Sequence, residues 1–169
     1  LEDSSHALGS KINNQPIGAC KYSDVNVFSF HAIKIITTGE GGAITTNNSK
    51  LYNKIQKLRS HGIFRKNNEE KIWQYDQKYL GYNYRITDFQ CALGRSQLKR
   101  LNKIIKKRNI IAKRYDKFFN DYPIDILVPK SKLISSYHLY VINTTKRDKL
   151  YNYLKKNKIE TNIHYIPIF

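Results

Sequence analysis

One lysine, Lys34, lies between a strand-like run and a glycine cluster in the stretch SFHAIKIITTGEGGAITTN, Ser29 to Asn47. A lysine amine held rigidly in a cleft is partly desolvated, so its pKa falls and it can act as a nucleophile and proton carrier. A lysine on an open glycine loop stays solvated instead, and the spacing alone leaves both readings standing. A second chemical group opens the chain, where LEDSSHALGS carries Asp3 and, three positions later, His6. At the carboxyl end of a buried strand a carboxylate is costly unless it meets a cation. Capping the small-residue turn that follows would explain Asp3 equally well.

The elements that must position these groups are short. Val25 to Phe30 alternates β-branched, aromatic and small residues as a buried strand does, which puts Ser29 near a strand end, and Ala43 to Thr46 reads as the next strand. Between them, Gly39, Gly41 and Gly42 allow backbone geometries that bulkier residues resist. Gln15 to Asp24, with Pro16 and Gly18, is a connector with a short strand and turn. Asn48 is the expected cap of a packing helix whose Leu51, Ile55 and Leu58 share one face. Ile63 to Tyr82 is an aromatic and charged loop. From Thr87 or Asp88 a long helix with a kink near Gly94 is expected to run to about Asp121. Pro123 and Pro129 mark a change of organisation, so the expected division is residues 1–121 and 122–169. In the second part a strand is expected over Ser136 to Thr144, a helix over Lys146 to Asn157 and a strand over Ile159 to Tyr165.

Several function classes find no footing in the motifs. There is neither a GxGxxG fingerprint nor a GxxxxGK[ST] loop to account for the glycines, no GxSxG elbow, and the histidines (His6, His31, His61, His138, His164) show no metal-ligand spacing. No apolar run approaches the length of a membrane span, and no signal peptide is visible. Cys20 and Cys91 are far apart and form no CxxC pair, which fits a reducing compartment, the cytoplasm by default. The formal net charge of +17 raises nucleic acid as a partner. Its lysines are nevertheless scattered along helix-like faces rather than gathered in one arm, as on ordinary solvated surfaces. Trp73, Tyr75, Tyr79 and Tyr82 could stack on bases or anchor a loop to a neighbouring surface. The chain opens as if a strand were entered midway and stops after Pro167 to Phe169 with no closing element, so it reads as a piece of a longer protein.

Taken together, EDSSHALGS, SFHAIKIITTGEGGAITTN, SHGI, LGYNYRITDFQCALG with SQLKRL, SSYHLYVI and IHYIPIF resemble the DegT/DnrJ/EryC1/StrS sugar aminotransferases, in the family's order and across essentially the whole chain. The wording around Lys34 and Asn83 and the closing IHYIPIF are most similar to the branch that acts in pseudaminic acid synthesis. The resemblance implies an α/β chain holding part of a type I fold, a mainly parallel sheet between helices, with the start of a small C-terminal α/β domain. It also implies pyridoxal 5'-phosphate as cofactor and a homodimer with shared sites. Transfer of an amino group is implied, from glutamate to C4 of a UDP-linked 4-keto-6-deoxy-N-acetylhexosamine. Residue by residue, Lys34 would carry the cofactor covalently and move the proton, and Asp3 would pair with the pyridine nitrogen. His6 would sit at the phenolic oxygen, Ser29 would donate to the phosphate, and Asn83 would reach the phosphate from the other subunit. His164 and Tyr165 would approach the sugar nucleotide. The family's upstream phosphate turn and stacking aromatic are absent from the sequence, so the chain alone should be catalytically incomplete. A basic nucleic-acid-binding protein and a non-catalytic regulatory member of the same fold are the alternatives.

Overall fold

Asn26–Ser29 (β4) is the central strand of the sheet that carries the site, with Asn26 and Phe28 turned into the interior. In the computed structural model, which describes residues 1–65, 73–127 and 132–166, Glu2–Asp3 (β1) pairs with β4 in parallel. Gly42–Thr45 (β5) pairs with its other edge antiparallel, Ser29 opposite Gly42 and Val27 opposite Ile44. Both expected strands around the lysine loop are present. Gly42 is required by close approach, since a Cβ there would stand 2.6 Å from the Phe28 carbonyl oxygen. Lys11–Ile12 (β2) and Gln15–Pro16 (β3) form a small antiparallel ladder, joined on the far side of β2 by Leu133–Ile134 (β9).

Asn48 caps Ser49–Leu58 (α1) as expected, its Oδ1 accepting from the N–H groups of Lys50 and Leu51, an arrangement that contributes about 1 kcal/mol. The apolar face of α1 is only half-buried. The stretch expected as a loop after it contains an antiparallel hairpin of Ile63–Arg65 (β6) and Tyr75–Gln77 (β7); residues 66–72, like Pro129 and the last three residues of IHYIPIF, lie outside the described residues. Gly62 has φ +68°, and a Cβ on it would collide with the Tyr79 carbonyl.

The single kinked helix expected from Thr87 is two helices. Thr87 caps Asp88–Leu98 (α2) through a reciprocal box with Gln90, and after a turn at Lys99 and Arg100 the chain re-enters Leu101–Phe119 (α3). Gly94 does not kink α2. It lies buried inside it, where a Cβ would stand 2.9 Å from Thr38 Cγ2, so the missing side chain lets the helix close on the lysine loop.

Residues divide into two compact units, Leu1–Ile111 with Pro129–His138 and Ala112–Val128 with Leu139–Phe169. The second holds Asp125–Ile126 (β8) paired antiparallel with Ile142–Asn143 (β10), and Arg147–Lys156 (α4), as the sequence predicts for that helix. Within this unit Tyr115, Phe119 and Tyr140 form a ring cluster, and the Tyr140 hydroxyl donates to Asp116 at 2.7 Å. Two strand expectations fail. Of Ser136 to Thr144 only Ile142–Asn143 is strand, because serine side chains capture the backbone groups a ladder would use: Tyr137 N–H donates to Ser135 Oγ and Ser136 N–H to Ser10 Oγ. Ile159 to Tyr165 forms no strand, and no described strand pairs with it. No described helix is long and apolar enough to cross a membrane.

Candidate active site

The loop from His31 to Gly41 is held from both ends. Phe30 N–H donates to the Gly41 carbonyl (2.8 Å), and Thr38 N–H and Thr37 Oγ1 donate to the Phe30 carbonyl (2.9 and 3.1 Å). Immediately after Lys34 the chain drives Ile35 and Ile36 into the core, 5% and 1% exposed. α2 ties the loop down from outside, with Gln97 accepting from Thr37 N–H and Gln90 donating to the Glu40 carbonyl. Lys34 itself is half-buried, its N–H donating to the His31 carbonyl at 3.0 Å. Its backbone is therefore fixed while the long side chain remains usable.

Asp3 sits at the end of β1, where the sequence reading puts it, with its carboxylate exposed. Ser5 donates to Oδ1 through its hydroxyl (2.6 Å) and its N–H (3.0 Å), so the turn-cap reading is physically real. These bonds hold the carboxyl below the usual aspartate value of 3.8, partial desolvation opposes them, and the charges of His6 and Lys34 pull it further down. The charges of His6 and Lys34 thus both act on the Asp3 carboxyl. Ser29 ends β4, its Oγ accepting from His31 N–H at 3.3 Å, on the approach to the same loop.

Asn83 lies in the turn before α2. It is exposed, bridges Ser60 beside the end of α1, and is flanked by Tyr82 and Tyr84, whose rings stack 5.1 Å apart at 10°. Those tyrosines, Arg59, Arg85 and the Glu40–Ile44 segment border an open cavity of ≈ 940 Å³. His164 and Tyr165 belong to the second unit, both exposed, with rings 4.4 Å apart. In the aromatic segment Phe64 meets Tyr79 at 5.6 Å and carries the Lys57 ammonium 3.7 Å over its face, while Trp73, Tyr75 and Tyr82 are exposed. Among the described residues no group of three or more His, Cys, Asp or Glu converges on a metal position, and Cys20 and Cys91 are free thiols.

Three positioning features were missed in the sequence. Gln90 and Gln97 fall seven apart on α2, a visible helical spacing, yet nothing in it points to the loop. The Ile-Ile pair after Lys34 interrupts a polar loop and was the available sign of an anchor. Asn26, 0% exposed, had no sequence signal, since an asparagine in a strand is ordinarily at its surface.

A model of the DegT/DnrJ/EryC1/StrS aminotransferase family matches residues 1–169. The chain is 41% identical over 175 residues to the UDP-4-amino-4,6-dideoxy-N-acetyl-beta-L-altrosamine transaminase of Campylobacter jejuni, covering 100% of this chain and 45% of that protein. It is 42% identical, with 100% and 45% coverage, to the transaminase of the same name from Helicobacter pylori. Among solved structures, Helicobacter pylori PseC, an aminotransferase of pseudaminic acid biosynthesis, superposes with TM-score 0.87 at 42% identity over 98% of this chain and 45% of that one. A putative sugar aminotransferase of Streptococcus pneumoniae in its PLP form gives 0.86 at 34% identity, over 98% and 43%. The chain spans about half the length of the curated relatives it matches.

Proposed function

The chain belongs to the DegT/DnrJ/EryC1/StrS aminotransferase family, and from that membership we propose that the protein transfers an amino group to a nucleotide-linked keto sugar with pyridoxal phosphate as carrier. The substrate class we assign is a UDP-linked 4-keto-6-deoxy-N-acetylhexosamine aminated at C4, with glutamate as donor. Relatives named for the altrosamine transaminase at 41–42% identity support that choice. We place the protein in the cytoplasm as a homodimer.

The observation that carries the reading is the exposed Asp3 carboxylate at the end of β1, on which the charges of His6 and of Lys34 in the anchored loop both act. The donor set fits the cofactor. Lys34 supplies the amine that can hold it covalently, Asp3 an ionised carboxylate for the pyridine nitrogen, and Ser29 a hydroxyl for the phosphate. His6 stands for the phenolic oxygen side. Bound there, pyridoxal phosphate supplies the electron sink that amino transfer needs. Lys34 then moves a proton at the sugar C4, and the Asp3 charge keeps the ring nitrogen protonated. Asn83 completes the phosphate site of the partner subunit, and His164 and Tyr165 contact the sugar nucleotide. In this reading residues 1–121 are the C-terminal part of the large cofactor domain and 122–169 the start of the small one. The formal charge of +17 suits an anionic nucleotide sugar.

The test is to offer the full-length protein a panel of keto sugar nucleotides with glutamate and identify the product. A 4-amino sugar supports the assignment. Visible cofactor absorbance that borohydride does not fix onto Lys34, or no amination of any sugar in the panel, would overturn it.

A further inference from the structure

We propose that His138 is a positioning residue for His6, and that the turn at Ser135 to His138 is built to deliver it. The inference rests on the cofactor site assigned above. The rings of His6 and His138 stand 4.3 Å apart with their planes tilted by 54°, which joins the first turn of the chain to a segment far along it.

That segment is held by many more bonds than a packing contact needs. Ser136 is 1% exposed; its N–H donates to Ser10 Oγ at 2.9 Å and its hydroxyl donates to the carbonyl of His6 itself at 2.9 Å. Ser10 Oγ also donates to Ser136 Oγ at 3.1 Å. From α3, Asn109 donates to the Ser135 carbonyl at 2.9 Å, and Arg108 Nη1 donates to the carbonyls of Tyr137 (2.8 Å) and His138 (3.3 Å). Between these ties Tyr137 adopts φ 45°, a left-handed conformation that a bulky L residue keeps only where its surroundings enforce it.

The product of this over-determined turn is a ring placed against that of His6, whose charge acts on Asp3. A ring in that place covers part of the His6 imidazole and narrows the orientations open to it. Simultaneously, the Ser136 hydroxyl fixes the His6 backbone. Both ends of His6 are thus set from the same distant turn, so its imidazole is aimed before any cofactor arrives.

The experiment uses the full-length protein and measures the pyridoxal phosphate dissociation constant, the pH profile of the bound cofactor's visible absorbance, and the melting temperature. The variants are His6→Ala, His138→Ala, His138→Phe, His138→Leu and the double alanine variant. His138→Ala is expected to weaken cofactor binding on the order of tenfold, as loss of an outer-shell partner does at metal ligands. It should also shift the pH profile in the direction of His6→Ala. His138→Phe, which keeps a ring, should bind close to wild type, and His138→Leu, which keeps only bulk, should behave like alanine. The double variant should bind no worse than His6→Ala alone. Unchanged affinity and pH profile in His138→Ala and His138→Leu would overturn the proposal, as would losses that add in the double variant. If His138→Ala fails to fold, the phenylalanine and leucine variants decide. A wild type that binds no pyridoxal phosphate, or a silent His6→Ala, would instead bring down the cofactor assignment, and this inference with it.

Discussion

Ser4 donates a 2.8 Å hydrogen bond to Oδ1 of Asn26 inside the sheet, and this bond fixes the residue next to Asp3. Both residues are fully buried. The amide of Asn26 donates in turn to Ser23 Oγ (2.8 Å) and Cys20 Sγ (3.4 Å), and Ser23 donates to Glu2 on the other side of Asp3. Asp3 is therefore bracketed by residues tied to one buried side chain.

Asn26→Ala should destabilise the full-length protein by about 2 kcal/mol, since it strands the buried Ser4 hydroxyl in the interior. Combining it with Ser4→Ala should cost clearly less than the sum of the two single changes, because both delete the same bond. Denaturant midpoints measure this. Strict additivity would mean that Ser4 and Asn26 do not act as a pair.

Lys34→Ala should lower turnover to background while the fold persists, and borohydride reduction with pyridoxal phosphate should then fix no cofactor at that position. A loss of several orders of magnitude is expected of a residue that both anchors the cofactor and moves the proton. Near-normal amination by the alanine variant would remove Lys34 from the reaction.

The parts of this site that were legible in the sequence are those carried by local rules. Asn48 announced α1, the alternation from Val25 to Phe30 announced β4, and the lysine between strand and glycines announced the loop. What stayed hidden depends on partners distant in the chain. The serines at 135 and 136 look like ordinary strand-edge residues until Ser10 and Asn109 meet them, and then they make a turn. Gly94 reads as a helix defect until Thr38 is found against it. Asp3 reads equally as a strand-end carboxylate awaiting a cation and as a turn cap; the strand ends at it and Ser5 folds back onto it, a bond that only the folded turn shows.

Asp3→Asn should cut turnover by several orders of magnitude, since it removes the charge that keeps the ring nitrogen protonated. Its pH signature has a definite sign. The folded carboxyl titrates below 3.8, so its contribution to stability is fully present above that value and is lost as pH falls through the depressed one. The stability difference between wild type and Asp3→Asn should therefore be present near neutral pH and disappear in acid, as read from urea midpoints against pH. A difference that persists at the lowest pH would assign it to shape, not charge.

Asn83 is exposed in the turn before α2, where its sequence neighbours Tyr82 and Tyr84 stack on each other, and an exposed side chain there can be presented to a neighbour. If each site takes Lys34 from one protomer and Asn83 from the other, Lys34→Ala and Asn83→Ala homodimers of the full-length protein should both be impaired. One lacks the covalent anchor and the other a phosphate donor. Mixing the two and allowing subunits to exchange should restore activity. In each hybrid one site collects both lesions, while the other combines an intact Lys34 with an intact Asn83. With complete random exchange about half the dimers are hybrids carrying one good site, so recovery should approach a quarter of wild-type turnover per site. Had Asn83 served its own protomer, every site in the hybrid would retain one lesion and mixing would gain nothing. The measurement is turnover before and after exchange, with hybrids confirmed by differently tagged subunits. Confirmed hybrids without recovery would confine Asn83 to its own chain.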